Sequence, residues 1–109
     1  MDYTNTIIYK IVCKDDTILD CYVGHTINLH NRIARHKTNC NNLKNLKHNC
    51  KVYIFIRENG GWDNFYFIEL EKVNCKDKKE ATLYERKWYD LLKPSLNYCF
   101  KYFLFDEYF

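Results

Sequence analysis

The sequence predicts an α+β fold in which a small three-stranded antiparallel sheet is flanked by helices. Three observations predict it. Residues 6–13 (TIIYKIVC) and 18–24 (ILDCYVG) are β-prone runs joined by the polar, turn-like Lys14-Asp15-Asp16-Thr17, the pattern of a hairpin. Residues 64–73 (NFYFIELEKV) form a third β-prone run. Helix start and stop signals mark the segments between and after these runs.

After the hairpin, Asn28 is placed to cap a helix running to about Lys37. That helix puts Leu29 and Ile33 on one face and Arg32 and His36 on a neighbouring one. Residues 37–50, rich in Asn and Lys, are the most polar part of the chain and read as a loop or a weak helix. Residues 52–56 (VYIFI) point two ways. Their propensity favours strand, whereas the spacing of Val52, Phe55 and Ile56, with Gly60-Gly61 beyond, favours helix. The last long element is the clearest. Asp77 and Glu80 form a pattern close to a capping box, and Ala81, Tyr84, Trp88, Leu91 and Leu92 make a stripe of helical period. Pro94 ends that helix just after Lys93. Glu85 lies beside the stripe, where a carboxylate is partly desolvated unless it is paired or bound to a cation. Taken alone, it reads as a side chain reaching water or pairing with Arg32 or Lys87.

With 109 residues the chain suits one domain over residues 1–109, with a core at 6–98 and an aromatic tail at 99–109. No apolar run approaches a membrane span, and the N-terminus has no basic stretch followed by an apolar one. The expectation is an intracellular protein without a membrane partner. In that setting the six cysteines are reduced thiols. None forms a Cys-x-x-Cys pair, though His36, Cys40, His48 and Cys50 are close enough in sequence to keep a structural zinc site in view. The preferred reading is that the cysteines simply pack.

Charge is distributed unevenly. Between Cys21 and Arg57 there is no Asp or Glu, but there are Arg32, Arg35, Lys37, Lys44, Lys47, Lys51 and Arg57. All four histidines also fall there, while the remainder of the chain carries more acidic than basic residues. One third of the chain is thus a candidate polyanion-binding surface, with an ordinary solvated face as the plainer alternative.

Ile7-Ile8-Tyr9 and Tyr22-Val23-Gly24 stand with twelve residues between the two tyrosines. They resemble the two halves of the signature of the GIY-YIG nuclease domain family. The run Gly24-His25-Thr26-Ile27-Asn28-Leu29-His30-Asn31-Arg32 is similar to that family's Gly-x-Thr-x-x-Leu-x-x-Arg. Leu83-Tyr84-Glu85-Arg86-Lys87-Trp88 resembles its glutamate-bearing helix, and Pro94-Ser95-Leu96-Asn97 its closing Pro-x-x-Asn. The resemblance spans about residues 6–98 and favours helix at 52–56. Each piece is weak alone, but their order and spacing make a strong joint signal. The departure is Ile7, which stands where the signature has glycine. It bears on local backbone geometry more than on chemistry.

The resemblance implies a metal-dependent endonuclease that cuts phosphodiester bonds in DNA. Glu85 would bind one divalent ion, Mg²⁺ or Mn²⁺, because hard cations prefer carboxylate oxygen and keep several waters. Tyr9 would be the general base, with Tyr22 or His36 sharing that role by hydrogen bonding. A phenol near its usual pKa of ~10 is a poor base, so this role needs a lowered pKa. Arg32 would clamp a non-bridging phosphate oxygen, and Asn97 would hold local geometry. Arg35, Lys37, Lys44, Lys47 and Lys51 would meet DNA phosphates. The alternatives are a catalytically inactive nucleic-acid-binding module of the same fold, or a zinc-stabilised interaction domain. The aromatic run at 100–109 (FKYFLFDEYF) is expected to pack back or to form a homodimer interface. With little chain after Asn97, specificity is expected to be low, to rest on DNA structure, or to come from a partner protein.

Overall fold

A computed structural model describes residues 1–97. Three strands, β1 (Thr6–Cys13), β2 (Cys21–Thr26) and β3 (Phe65–Val73), form one antiparallel sheet in the order β2-β1-β3. The helices are α1 (Leu29–Asn41), α2 (Lys51–Glu58) and α3 (Lys78–Leu92), with a 3-10 turn at Trp62–Asn64. The architecture is α+β, as the sequence predicts.

β1 is the central strand, and both of its faces are covered. Side chains alternate across a strand, so Tyr9, Ile11 and Cys13 enter one core with Cys40, Val52, Tyr53 and Ile56 from α1 and α2. Ile8 enters the other core with Val23, Val73 and Ala81, against which Tyr84, Trp88 and Leu92 of α3 pack. Adjacent residues Ile8 and Tyr9 are therefore both fully buried. Ile7, in place of the signature glycine, is an ordinary half-buried strand residue paired with Thr26 and Lys72. The irregularity in β1–β3 pairing falls one step later, between Ile8 and Tyr9.

The expected caps form. Asn28 accepts from the Asn31 N–H at 3.0 Å, and Asp77 from the Glu80 N–H at 2.9 Å. Helix α2 closes at Gly60 and Gly61, both at positive φ, with the Gly61 N–H on the Ile56 carbonyl at 2.9 Å. Lys93, at φ 48, caps α3 in the left-handed region just before Pro94.

Four boundaries differ from expectation. The second strand runs Cys21–Thr26 and not 18–24, because Asp15 organises a longer loop: it accepts from Thr17 by side chain and from Ile18 by carbonyl, and Leu19 is left exposed. Helix α1 continues to Asn41, since His36, Asn39 and Cys40 give its last turns a buried face. Beyond it, Asn42 and Asn45 fold residues 42–47 into successive side-chain-capped turns, with their Oδ1 atoms accepting from the Lys44 and Lys47 N–H groups. Asn64 belongs to the 3-10 turn, and Leu91 is 67% exposed and outside the α3 stripe.

The segment after α3 turns back along β2. The Leu96 N–H bonds the Cys21 carbonyl at 3.0 Å, and Ser95 Oγ donates to Asp20 at 2.8 Å. Asn97 exchanges two bonds with the Val23 backbone, accepting from its N–H at 2.9 Å and donating to its carbonyl at 2.7 Å. The edge of β2 is thereby covered. The aromatic run at 100–109 lies outside the described residues. Among the described residues, no helix is long and apolar enough to cross a membrane.

Candidate active site

Tyr9 pairs across the sheet with Gly24, so both lie on the face covered by α1 and α2. A Cβ at Gly24 would stand 2.7 Å from Tyr9 Oη and 2.8 Å from its Cζ. The glycine closing Tyr22-Val23-Gly24 thus leaves the space that the Tyr9 phenol fills. Tyr22 flanks this slot, its ring centroid 6.3 Å from that of Tyr9.

Helix α1 supplies Arg32 and, one turn later, His36. His36 Nε2 meets Tyr9 Oη at 2.7 Å, and its Nδ1 meets Tyr53 Oη of α2 at 2.7 Å. Asn39 Nδ2 donates to the same Tyr53 oxygen at 3.1 Å. Four buried side chains therefore form one continuous chain, Tyr9–His36–Tyr53–Asn39.

Burial dominates the electrostatics. It pushes the His36 imidazole down to about 3, helped by the positive charges of Arg32, Lys47 and Arg35, so the ring is neutral near pH 7. Burial likewise lifts the Tyr9, Tyr22 and Tyr53 phenols above their ordinary range, while Arg32 opposes the rise at all three. The Glu85 carboxylate adds to the rise at Tyr22. Arg32 carries the one buried side-chain polar atom among the described residues that has no partner, its Nε. An orphaned N–H of this kind costs about 1–3 kcal/mol.

Glu85 approaches from α3. Its partner is His25, paired with Ile8 on that side of the sheet, with Nδ1 to Oε1 at 2.8 Å. Pairing with Arg32 or Lys87 does not occur, because Lys87 instead reaches Glu71 at 2.9 Å. The Glu85 side chain is 29% exposed, so the carboxylate is open to small ligands. One carboxylate beside one imidazole suits a divalent ion that keeps most of its own shell. Among the described residues, no three His, Cys, Asp or Glu side chains converge on a metal position. That also separates His36, Cys40, His48 and Cys50 as a zinc set, since both His36 nitrogens face tyrosines. Cys13, Cys21, Cys40, Cys50 and Cys75 form no disulfide.

Asn97 reaches the site through the backbone of β2. Of the basic residues, Arg35 and Lys47 are near enough to depress His36. Lys37 and Lys44 are exposed, and Lys51 is half-buried at the start of α2. Arg57 is committed to structure, donating to the Cys40 carbonyl at 2.9 Å. Tyr53 and Asn39 are absent from the sequence reading of the site, and no motif marks them. The packing of α1 against α2 is what reveals them.

Searches of curated proteins and of solved structures find no match. A family model does match: the GIY-YIG catalytic domain fits residues 5–99. The matched stretch contains β1 to β3, α1 to α3 and both tyrosine motifs with Arg32. The chain therefore belongs to the GIY-YIG catalytic domain family, a family of nucleases.

Proposed function

We propose that this domain is a divalent-metal-dependent endonuclease hydrolysing phosphodiester bonds in DNA. The observation that carries the reading is Arg32. Its buried Nε–H lacks a partner, its charge acts on both motif tyrosines, and it lies in the acid-free third of the chain. A phosphate oxygen supplies the missing acceptor, and guanidinium geometry favours it.

Glu85 would hold Mg²⁺ or Mn²⁺, with His25 steering its carboxylate. The ion would supply Lewis acidity toward the phosphate and a positive potential that favours ionised oxygen acids nearby. Arg32 fixes the phosphate and offsets its growing charge. In the free protein Tyr9 holds its proton, because burial outweighs Arg32. Its service as a base requires added positive charge on substrate binding. Asn97 acts at a distance by fixing the β2 backbone between Tyr22 and Gly24. Arg35, Lys37, Lys44, Lys47 and Lys51 would follow the DNA backbone.

Supercoiled plasmid nicking with Mg²⁺ or Mn²⁺ tests this. Wild type is expected to nick, and Glu85→Ala and Arg32→Ala to lose activity while keeping the fold. Undiminished nicking by either variant refutes the site. A folded wild type that cuts neither duplex, single-stranded nor branched DNA points instead to a binding module.

A further inference from the structure

We infer that Tyr53 is a positioning residue that fixes His36 as the Nε2–H tautomer, making His36 a hydrogen-bond donor to Tyr9. The argument is one of donors and acceptors. Tyr53 is 4% exposed, so its hydroxyl must find partners inside the protein. A phenol has one O–H to give. Asn39 Nδ2 donates to Tyr53 Oη and offers it no acceptor. The acceptor that the described residues place within reach of that hydroxyl is His36 Nδ1, at 2.7 Å. Tyr53 therefore donates to Nδ1, and Nδ1 carries no proton.

The rest follows from the imidazole itself. A neutral ring has one N–H and one bare nitrogen. His36 is held neutral by burial. With Nδ1 bare, the proton sits on Nε2 and points at Tyr9 Oη, 2.7 Å away. The opposite tautomer would leave Nε2 bare as a proton acceptor for Tyr9 and would strand the Tyr53 O–H. The two tautomers assign His36 opposite roles. In the one selected, His36 stabilises an ionised Tyr9 oxygen and does not remove its proton. The buried Tyr9 O–H then has the Tyr22 hydroxyl as its acceptor, a side-chain hydrogen bond that works against the burial-driven rise of the Tyr22 phenol's pKa. Tyr53 touches neither phosphate nor metal in this scheme. It acts through His36 alone.

The catalytic consequence rests on the nuclease reading, whereas the tautomer does not. Ring ¹⁵N NMR of the protein at neutral pH reads the tautomer directly, without any reaction. Wild type is expected to show His36 protonated on Nε2. Tyr53→Phe removes the donor and little else. Its His36 signals are expected to move toward the Nδ1–H form, with nicking reduced roughly tenfold to a hundredfold, the usual loss when an orienting partner is removed. Asn39→Leu leaves the Tyr53 hydroxyl in place and is expected to keep the wild-type tautomer. A wild-type proton on Nδ1 overturns the inference, and that measurement stands even if Tyr53→Phe does not fold. A folded Tyr53→Phe with wild-type ring signals and rate overturns it equally. Absence of nicking by wild type bears on the nuclease reading and leaves the tautomer assignment to the spectra.

Discussion

Replacing Gly24 by alanine adds one methyl group where Tyr9 already stands. Gly24 is not at positive φ, so the alanine backbone is tolerated. Were nothing in the way, the change would stabilise the fold by about 0.4–1 kcal/mol through the unfolded chain. The methyl, however, would sit 2.7 Å from Tyr9 Oη and 3.1 Å from Tyr22 Cε1. Tyr9 has no exposed surface, and its ring is hemmed by Phe67 and His36, with centroids at 6.1 and 5.8 Å. The phenol must leave its bond to His36 or push β2 outward. Overpacking of this kind costs about 1–3 kcal/mol, and a stranded buried hydroxyl about 1–3 kcal/mol more. A net loss of about 2–4 kcal/mol corresponds to a fall in Tm of at least ~8 °C for a domain of this size. Nicking should fall by about 100-fold or more, the loss expected from a misplacement near 1 Å. Thermal melts by circular dichroism and plasmid nicking read the two effects. A Gly24→Ala protein at least as stable as wild type, with full activity, would refute the claim that glycine opens the Tyr9 slot.

Other expectations follow from the same site. Arg32→Met removes the orphaned Nε, so urea denaturation should show stability held or raised while nicking falls by about 10²–10³-fold; a strongly destabilised variant would contradict this. His36 has a folded pKa depressed from 6.5 to about 3, so the unfolded chain binds the proton first as the solution is acidified. Its contribution is complete above pH 6.5 and fades as pH falls toward 3, at up to about 1.4 kcal/mol per unit. Between pH 7 and 5 wild type should therefore lose more stability in urea than His36→Gln, and parallel curves would disprove a buried neutral His36. Lys44→Gln with Lys47→Gln, measured by anisotropy on a labelled duplex in a Glu85→Ala background, should flatten the log–log salt slope by ~0.9 for each phosphate that is no longer neutralised. An unchanged slope would remove these lysines from the interface.

Elements whose signals are local are readable from the sequence. The first strand has the bounds Thr6–Cys13 because every second side chain enters a core, and the helix starts at Asn28 and Asp77 need only a side chain and a nearby N–H. Helix α2 requires more, since the apolar residues at 52–56 suit either period, and family resemblance tips the choice. The start of β2 escapes propensity because Asp15 captures the hairpin loop, a competition that propensity does not register. Tyr9, Tyr22, Arg32, Glu85 and Asn97 are singled out in the sequence by the family resemblance, but their partners are not. His25 meets Glu85 across 60 residues, and Tyr53 meets His36 only because α2 packs on α1. Such pairings belong to the packed chain and leave no periodic trace.

The clasp of residues 95–97 on β2 has a bearing on how the protein is made. Val23 and Asn97 are 74 positions apart, and the Asp20–Ser95 bond spans 75. Pairings of such long range form late, since loop closure must precede any reward from them. As the chain emerges from the ribosome, β2 keeps an open edge until α3 and the turn beyond it have left the exit tunnel. The backbone on either side of Val23 is therefore fixed only after residues 95–97 have emerged. A nascent chain carries both tyrosine motifs long before that clasp can form.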